Sequence, residues 1–75
     1  MINGIQIRMA RAALKWGVRD LAEKAGVNPN TVSRIETGGG VQVSSLEKLE
    51  STLLEAGIEF IPENGGGVGV RLRKP

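Results

Sequence analysis

Residues 28–37 read Asn-Pro-Asn-Thr-Val-Ser-Arg-Ile-Glu-Thr. Wound as a helix, this stretch turns Val32 and Ile35 to the inside and leaves Asn30, Thr31, Ser33 and Arg34 pointing elsewhere. Those side chains are an amide, two hydroxyls and a guanidinium, groups that recognise by hydrogen bonding. The chemistry they suit is binding rather than bond-making. The chain of 75 residues has no cysteine and no histidine. That excludes disulfides, zinc sites built on Cys or His, and histidine-based catalysis. Glu59 and Glu63 alone would hold a metal weakly. The glycine triplets at 38–40 and 65–67 do not spell G-x-x-x-x-G-K-[ST], so neither reads as a phosphate loop. No enzyme activity, cofactor or metal is expected.

Charge is segregated along the chain. Residues 1–40 hold Arg8, Arg11, Lys15, Arg19, Lys24 and Arg34 against Asp20, Glu23 and Glu36. Residues 41–67 hold only Lys48 against Glu47, Glu50, Glu55, Glu59 and Glu63, and the tail adds Arg71, Arg73 and Lys74. The net is +2, but the front half is cationic and the middle acidic, as expected of a front half that faces a polyanion. No run of 18 apolar residues occurs, and the N-terminus lacks a secretory pattern. The expected location is the cytoplasm, with no membrane partner.

These residues need elements to position them. A first helix is expected over 5–16, with Ile7, Ala10 and Leu14 on one stripe and Ile5, Met9, Ala12 and Trp16 on another. Gly17 should end it. A short second helix over 18–25 places Leu21, Ala22 and Ala25 inward, with Asp20 and Glu23 near its positive end, and Gly26 closes it. Asn28-Pro29 is a helix start: Asn caps, and Pro fits the first turn. The third helix then runs from Pro29 to Glu36 or Thr37, closed by Gly38. Gly38-Gly39-Gly40 reads as a flexible link. Ser44 and Glu47 have the spacing of a capping box for a fourth helix ending near Ala56, with Leu46, Leu49, Leu53 and Leu54 apolar. Ile58-Glu59-Phe60-Ile61 reads as a short strand, and the period-two alternation of Val68, Val70 and Leu72 with Gly69, Arg71 and Arg73 predicts its partner in a β-hairpin, with its turn at Asn64-Gly65. A chain this short buries only about 60% of its extended surface, so a partner chain can help to stabilise it.

Residues 18–37 thus form a short helix, a tight turn at Gly26 and a second short helix. The small Ala22 lets the second helix cross closely, and Val27 packs beneath the turn. That is a helix-turn-helix, whose second helix protrudes in a shape that enters a DNA major groove. The motifs Ile7-Arg8-x-x-Arg11, Leu21-Ala22-x-x-x-Gly26-Val27 and Asn28 through Glu36-x-Gly38 resemble the lambda-repressor-like, Xre or Cro/C1-type helix-turn-helix family over residues 5–56. The resemblance implies a mainly α fold, a bundle of four to five short helices over residues 1–57. The C-terminal β-hairpin or tail at 58–75 is then an element for dimerisation or for binding a partner.

The resemblance also implies roles for single residues. Pro29, Asn30, Thr31 and Arg34 stand where the family meets base edges: Asn30 can pair with adenine, Arg34 with guanine, and Thr31 can bond a base or touch a thymine methyl. Arg11 and Glu36 are implied to form a structural ion pair. Phosphate contacts fall to Arg19, Ser33, Thr37, Gly38 and Lys15, with the amide of Gly39 and Arg8 as further candidates. Where the family often has Ser or Thr followed by Gln at the start of the second helix, this chain has Gly17 and Val18, so Arg19 is the substitute.

The function implied is a sequence-specific transcriptional regulator that binds double-stranded DNA as a homodimer, for which a repressor acting by occlusion would suffice. The alternative is a protein-binding antiactivator, adaptor or antitoxin on the same fold. It would use the Val68/Val70/Leu72 face and open edge of the hairpin.

Overall fold

Asn3 begins the first helix. Its side-chain oxygen accepts the Gln6 N–H at 3.0 Å, and the Gln6 side chain accepts the Asn3 N–H at 3.0 Å, a reciprocal capping box. The computed structural model describes residues 2–73 and contains four helices, α1 (Gly4–Leu14), α2 (Val18–Ala25), α3 (Pro29–Glu36) and α4 (Val43–Glu55), followed by strands β1 (Ile58–Ile61) and β2 (Gly69–Leu72). Lys74, counted above with the basic tail, lies outside the described residues. The fold is mainly helical with a small antiparallel hairpin, as expected.

One core serves all six elements. Ile7, Leu21, Val32, Leu49, Leu53 and Ile58 are fully buried, one or two from each helix and one from β1. Burying such a side chain stabilises by about 1.5–3 kcal/mol relative to leaving it exposed. Leu14, Trp16, Val18, Val27, Phe60 and Val70 pack around the core, so the hairpin shares it. Helix α2 packs on α3 and α4, α1 packs on α3, and the hairpin lies across α1 and α4. The approach of α1 to α3 depends on Gly4, where a Cβ would stand 2.1 Å from the Ile35 carbonyl oxygen.

Several local expectations are corrected. Helix α1 stops before Gly17: Lys15 takes the left-handed conformation at φ 60°, and the Trp16 N–H returns to the Arg11 carbonyl at 2.9 Å. Gly17, extended at φ −77°, instead starts α2, and the Asp20 carboxylate accepts its N–H at 2.7 Å. Ile5 is 61% exposed rather than inward, whereas Gln6 is 2% exposed. The reason is tertiary. The hairpin crosses α1 there and presents two carbonyls, and Gln6 Nε2 donates to Ile61 and Gly69, each at 3.1 Å. An aliphatic side chain would leave both without that donor.

The Ser44 capping box does not form. Helix α4 begins at Val43, capped by extended Gln42, whose carbonyl accepts the Leu46 N–H at 3.2 Å. Starting there gains a backbone bond in place of a hydroxyl cap. Leu54 turns outward and is 43% exposed. The turn of the hairpin is wider than an Asn-Gly pair: the Glu63 carboxylate accepts the N–H groups of Gly65 and Gly67 at 2.8 and 2.9 Å, and Asn64 accepts that of Gly66 at 3.1 Å. These bonds give the Pro62–Val68 loop a defined shape.

Candidate nucleic-acid interface

Helix α3 is fixed at its start by Asn28, whose side-chain oxygen accepts the Asn30 N–H at 2.8 Å. Pro29 occupies the first turn, where a missing N–H costs nothing. Val32 and Ile35 anchor the inner face, 0% and 4% exposed. The opposite face is then set by helical geometry. Asn30, Ser33, Arg34 and Thr37 fall at i, i+3, i+4 and i+7, and all four are exposed. Pro29 and Thr31 flank this stripe, half-buried. The hairpin packs on α1 and α4, and leaves the stripe uncovered.

The end of α3 constrains its polar groups. The Thr37 hydroxyl donates to the carbonyls of Ser33 and Arg34 at 3.0 and 3.1 Å. The Gly38 N–H donates to Ile35 at 3.1 Å, and the Gly39 N–H to Arg34 at 2.8 Å. The two loop amides offered above to phosphate are therefore already bonded within the protein. Gly38 remains exposed, so what it offers is a close backbone approach rather than a donor. Gly39 has a second role: a Cβ there would lie 2.4 Å from Cγ of Arg34. The stem of Arg34 thus rests on the bare backbone of Gly39, and the 38–40 segment is a shelf for that arginine rather than a slack link.

Arg11 and Glu36 tie α1 to the end of α3. Arg11 Nε and Nη2 donate to the two Glu36 carboxylate oxygens at 2.8 and 2.9 Å, a bidentate pair. Arg11 Nη1 also donates to the Trp16 carbonyl at 3.1 Å. The Glu36 side chain is 6% exposed and that of Arg11 21%. The bonds to Glu36 raise the Arg11 pKa above its ordinary value, against the opposing effect of burial, so the guanidinium stays charged. Arg8, 65% exposed, places Nε 3.9 Å from the same carboxylate. Arg8, Arg11, Ser33, Glu36 and Thr37 line one shallow depression.

Arg19, on the first turn of α2, and Lys15, at the end of α1, are both exposed. Lys24 is drawn aside over the Trp16 ring, 5.2 Å from its centre. Gln6 and Gly4 are structural partners that the sequence does not single out, and Asp20 and Gly39 take roles other than those expected, Asp20 as acceptor of the Gly17 N–H and Gly39 as the support of the Arg34 stem. For Gln6 a signal was present, since Asn3 and Gln6 have capping-box spacing. For Gly4 and Gly39 none was, because the atoms they admit come from other parts of the chain.

No helix among the described residues is long and apolar enough to cross a membrane. No curated protein matches the chain in sequence. Residues 7–53 match the helix-turn-helix family profile, more than half of the chain and the whole of the α2–turn–α3 unit. With its exposed α3 face and the Arg11–Glu36 tie beneath it, the chain belongs to the Cro/C1-type, lambda-repressor-like helix-turn-helix family of DNA-binding regulators.

Proposed function

We propose that the protein is a sequence-specific DNA-binding transcriptional regulator that inserts α3 into the major groove and binds as a homodimer to two half-sites. The observation that carries this reading is the exposed stripe of Asn30, Ser33, Arg34 and Thr37 on a helix whose other face is locked into the core. Arg34 makes a bidentate contact to guanine, Asn30 pairs with adenine, and Thr31 and Pro29 meet the adjoining base edges. Arg19, Lys15 and Ser33 hold phosphates, and the backbone at Thr37 and Gly38 comes close to the strand at the far end of α3. Affinity then comes largely from phosphate neutralisation and falls steeply with salt. With residues 1–57 reading DNA, the hairpin is free to join the two protomers.

Selection of bound duplexes from random DNA tests this. The expected result is an enriched motif with two related half-sites. Recovery of unenriched sequence would defeat the base-reading role and favour the alternative, an adaptor or antitoxin that grips another protein through the hairpin.

A further inference from the structure

The chain holds two Asn-Gly pairs, Asn3-Gly4 and Asn64-Gly65. An asparagine followed by glycine carries a latent reaction. The glycine nitrogen attacks Cγ of the asparagine side chain, ammonia leaves, and a five-membered succinimide remains. Glycine favours the attack because no Cβ shields its nitrogen and its backbone turns freely. By residue type the two pairs are alike. The fold sets them apart.

At Asn64 the loop gathers the groups that the reaction needs. Gly65 takes φ 98°, with nothing within 4 Å of where a Cβ would stand. Its N–H donates to Glu63 Oε1 at 2.8 Å, within the reach of a general base. The Gly67 N–H donates to the same oxygen at 2.9 Å. These bonds, that of Gly67 first, hold the Glu63 carboxyl below its ordinary value, so at neutral pH it is ionised and free to accept a proton. The Gly66 N–H donates to Asn64 Oδ1 at 3.1 Å. That bond folds the side chain forward over the backbone as an Asx turn, and it polarises the carbonyl on which negative charge must develop. The Gly65 proton lies in the peptide plane, toward Glu63, and so leaves the face of the nitrogen open to Cγ. Residues 62–67 are exposed, so water reaches the product.

At Asn3 the same dipeptide is committed to structure. Its Oδ1 accepts the Gln6 N–H, and Gln6 Oε1 accepts the Asn3 N–H. Gly4 is the first residue of α1 and is pressed against the Ile35 carbonyl. Among the described residues no carboxylate accepts the Gly4 N–H. Closing a ring there would break both the cap and the approach of α1 to α3.

We infer that Asn64-Gly65 is a site of self-modification, with Glu63 as its general base and the Gly66 amide as its oxyanion donor, while the fold protects Asn3-Gly4. Glu63 takes the proton from the Gly65 nitrogen as the N–Cγ bond forms. The charge on Oδ1 rests against the Gly66 N–H. Glu63 then returns the proton to the side-chain nitrogen, the old Cγ–N bond breaks, and ammonia departs. Water opens the succinimide at either carbonyl and leaves an aspartyl or an isoaspartyl residue at position 64. The loop gains one negative charge and, in the isoaspartyl form, one methylene of backbone. Neither change touches the α3 face, so the inference stands independently of the DNA reading.

Incubation of the full chain in neutral buffer, with and without urea, tests this, with positions 3 and 64 followed by peptide mass spectrometry that separates aspartate from isoaspartate. In the folded chain Asn64 should react at least about tenfold faster than Asn3, and faster than it does in urea. In urea the two pairs should react at similar rates. Glu63→Gln keeps an acceptor for the Gly65 and Gly67 amides but no base. It should slow the reaction of Asn64 at least about tenfold, with the resonances of those two amides held near their parental positions. A folded rate at Asn64 no higher than in urea, or a Glu63→Gln chain that reacts as fast as the parent, overturns the inference. Equal modification of Asn3 in the folded chain overturns the protection assigned to α1. If the glutamine disturbs the loop, the comparison with urea decides by itself, since it needs no variant.

Discussion

Replacing Arg11 by methionine keeps most of the side-chain volume but strands Glu36. Its carboxylate is 6% exposed and loses bonds of 2.8 and 2.9 Å. Arg8 offers only partial compensation, with Nε at 3.9 Å on a mostly exposed side chain. Removing one partner of a fully buried pair costs about 3–5 kcal/mol. Because Arg11 is itself a fifth exposed, solvent screening lowers this to about 2–4 kcal/mol. Glu36→Gln should cost less, about 1–2 kcal/mol, because the amide keeps one acceptor and an arginine can shift its head toward water. A domain of this length has about 4–11 kcal/mol of stability in all, and each kcal/mol lost lowers Tm by about 4–8 °C. Urea and thermal unfolding of the two variants should therefore both show clear losses, with Arg11→Met the larger. Equal stability of both variants with the parent would refute the structural role of the pair, and a larger loss for Glu36→Gln would refute the asymmetry argued from burial.

Three further outcomes follow from the same geometry. Arg19→Ala should weaken binding to all sequences alike and reduce the salt slope by about 1; a loss confined to one operator would make Arg19 a base reader instead. Gly39→Ala should disturb DNA preference with no contact to DNA of its own, because the new methyl displaces the Arg34 stem; an unchanged site preference in a binding titration would contradict the shelf. In the hairpin loop, backbone donation from Gly67 and then Gly65 holds the Glu63 carboxyl below its ordinary value. A lowered folded pKa means that loop order is fully present above the ordinary carboxylate range and is lost as pH falls through the lowered value. The Gly65 and Gly67 amide resonances should titrate together below pH 4.5; a midpoint at or above that value would contradict the bonds.

What the sequence discloses is local. Asn28-Pro29 marks the start of α3 because cap and ring act on adjacent backbone, and Val32 and Ile35 set its inner face through period alone. The apolar run at 58–61 and the alternation of 68–73 disclose the hairpin for the same reason. What stays hidden is decided between elements. Ile5 and Gln6 exchange places because strand carbonyls arrive from residues 61 and 69. Lys15 adopts a left-handed conformation that its residue type does not announce. The amides of Gly38 and Gly39 turn inward onto α3, which a reading of loop composition cannot foresee.

The account depends above all on whether the exposed face of α3 reads bases. Affinities of the parent and of Arg34→Ala, measured on a selected site and on each of its single-base-pair variants, test this most directly. The account predicts that the substitution costs about 1–3 kcal/mol on the selected site and flattens preference at one guanine-bearing pair, with the other positions read as before. Unaltered affinity and preference, or a loss equal at every position, would contradict it.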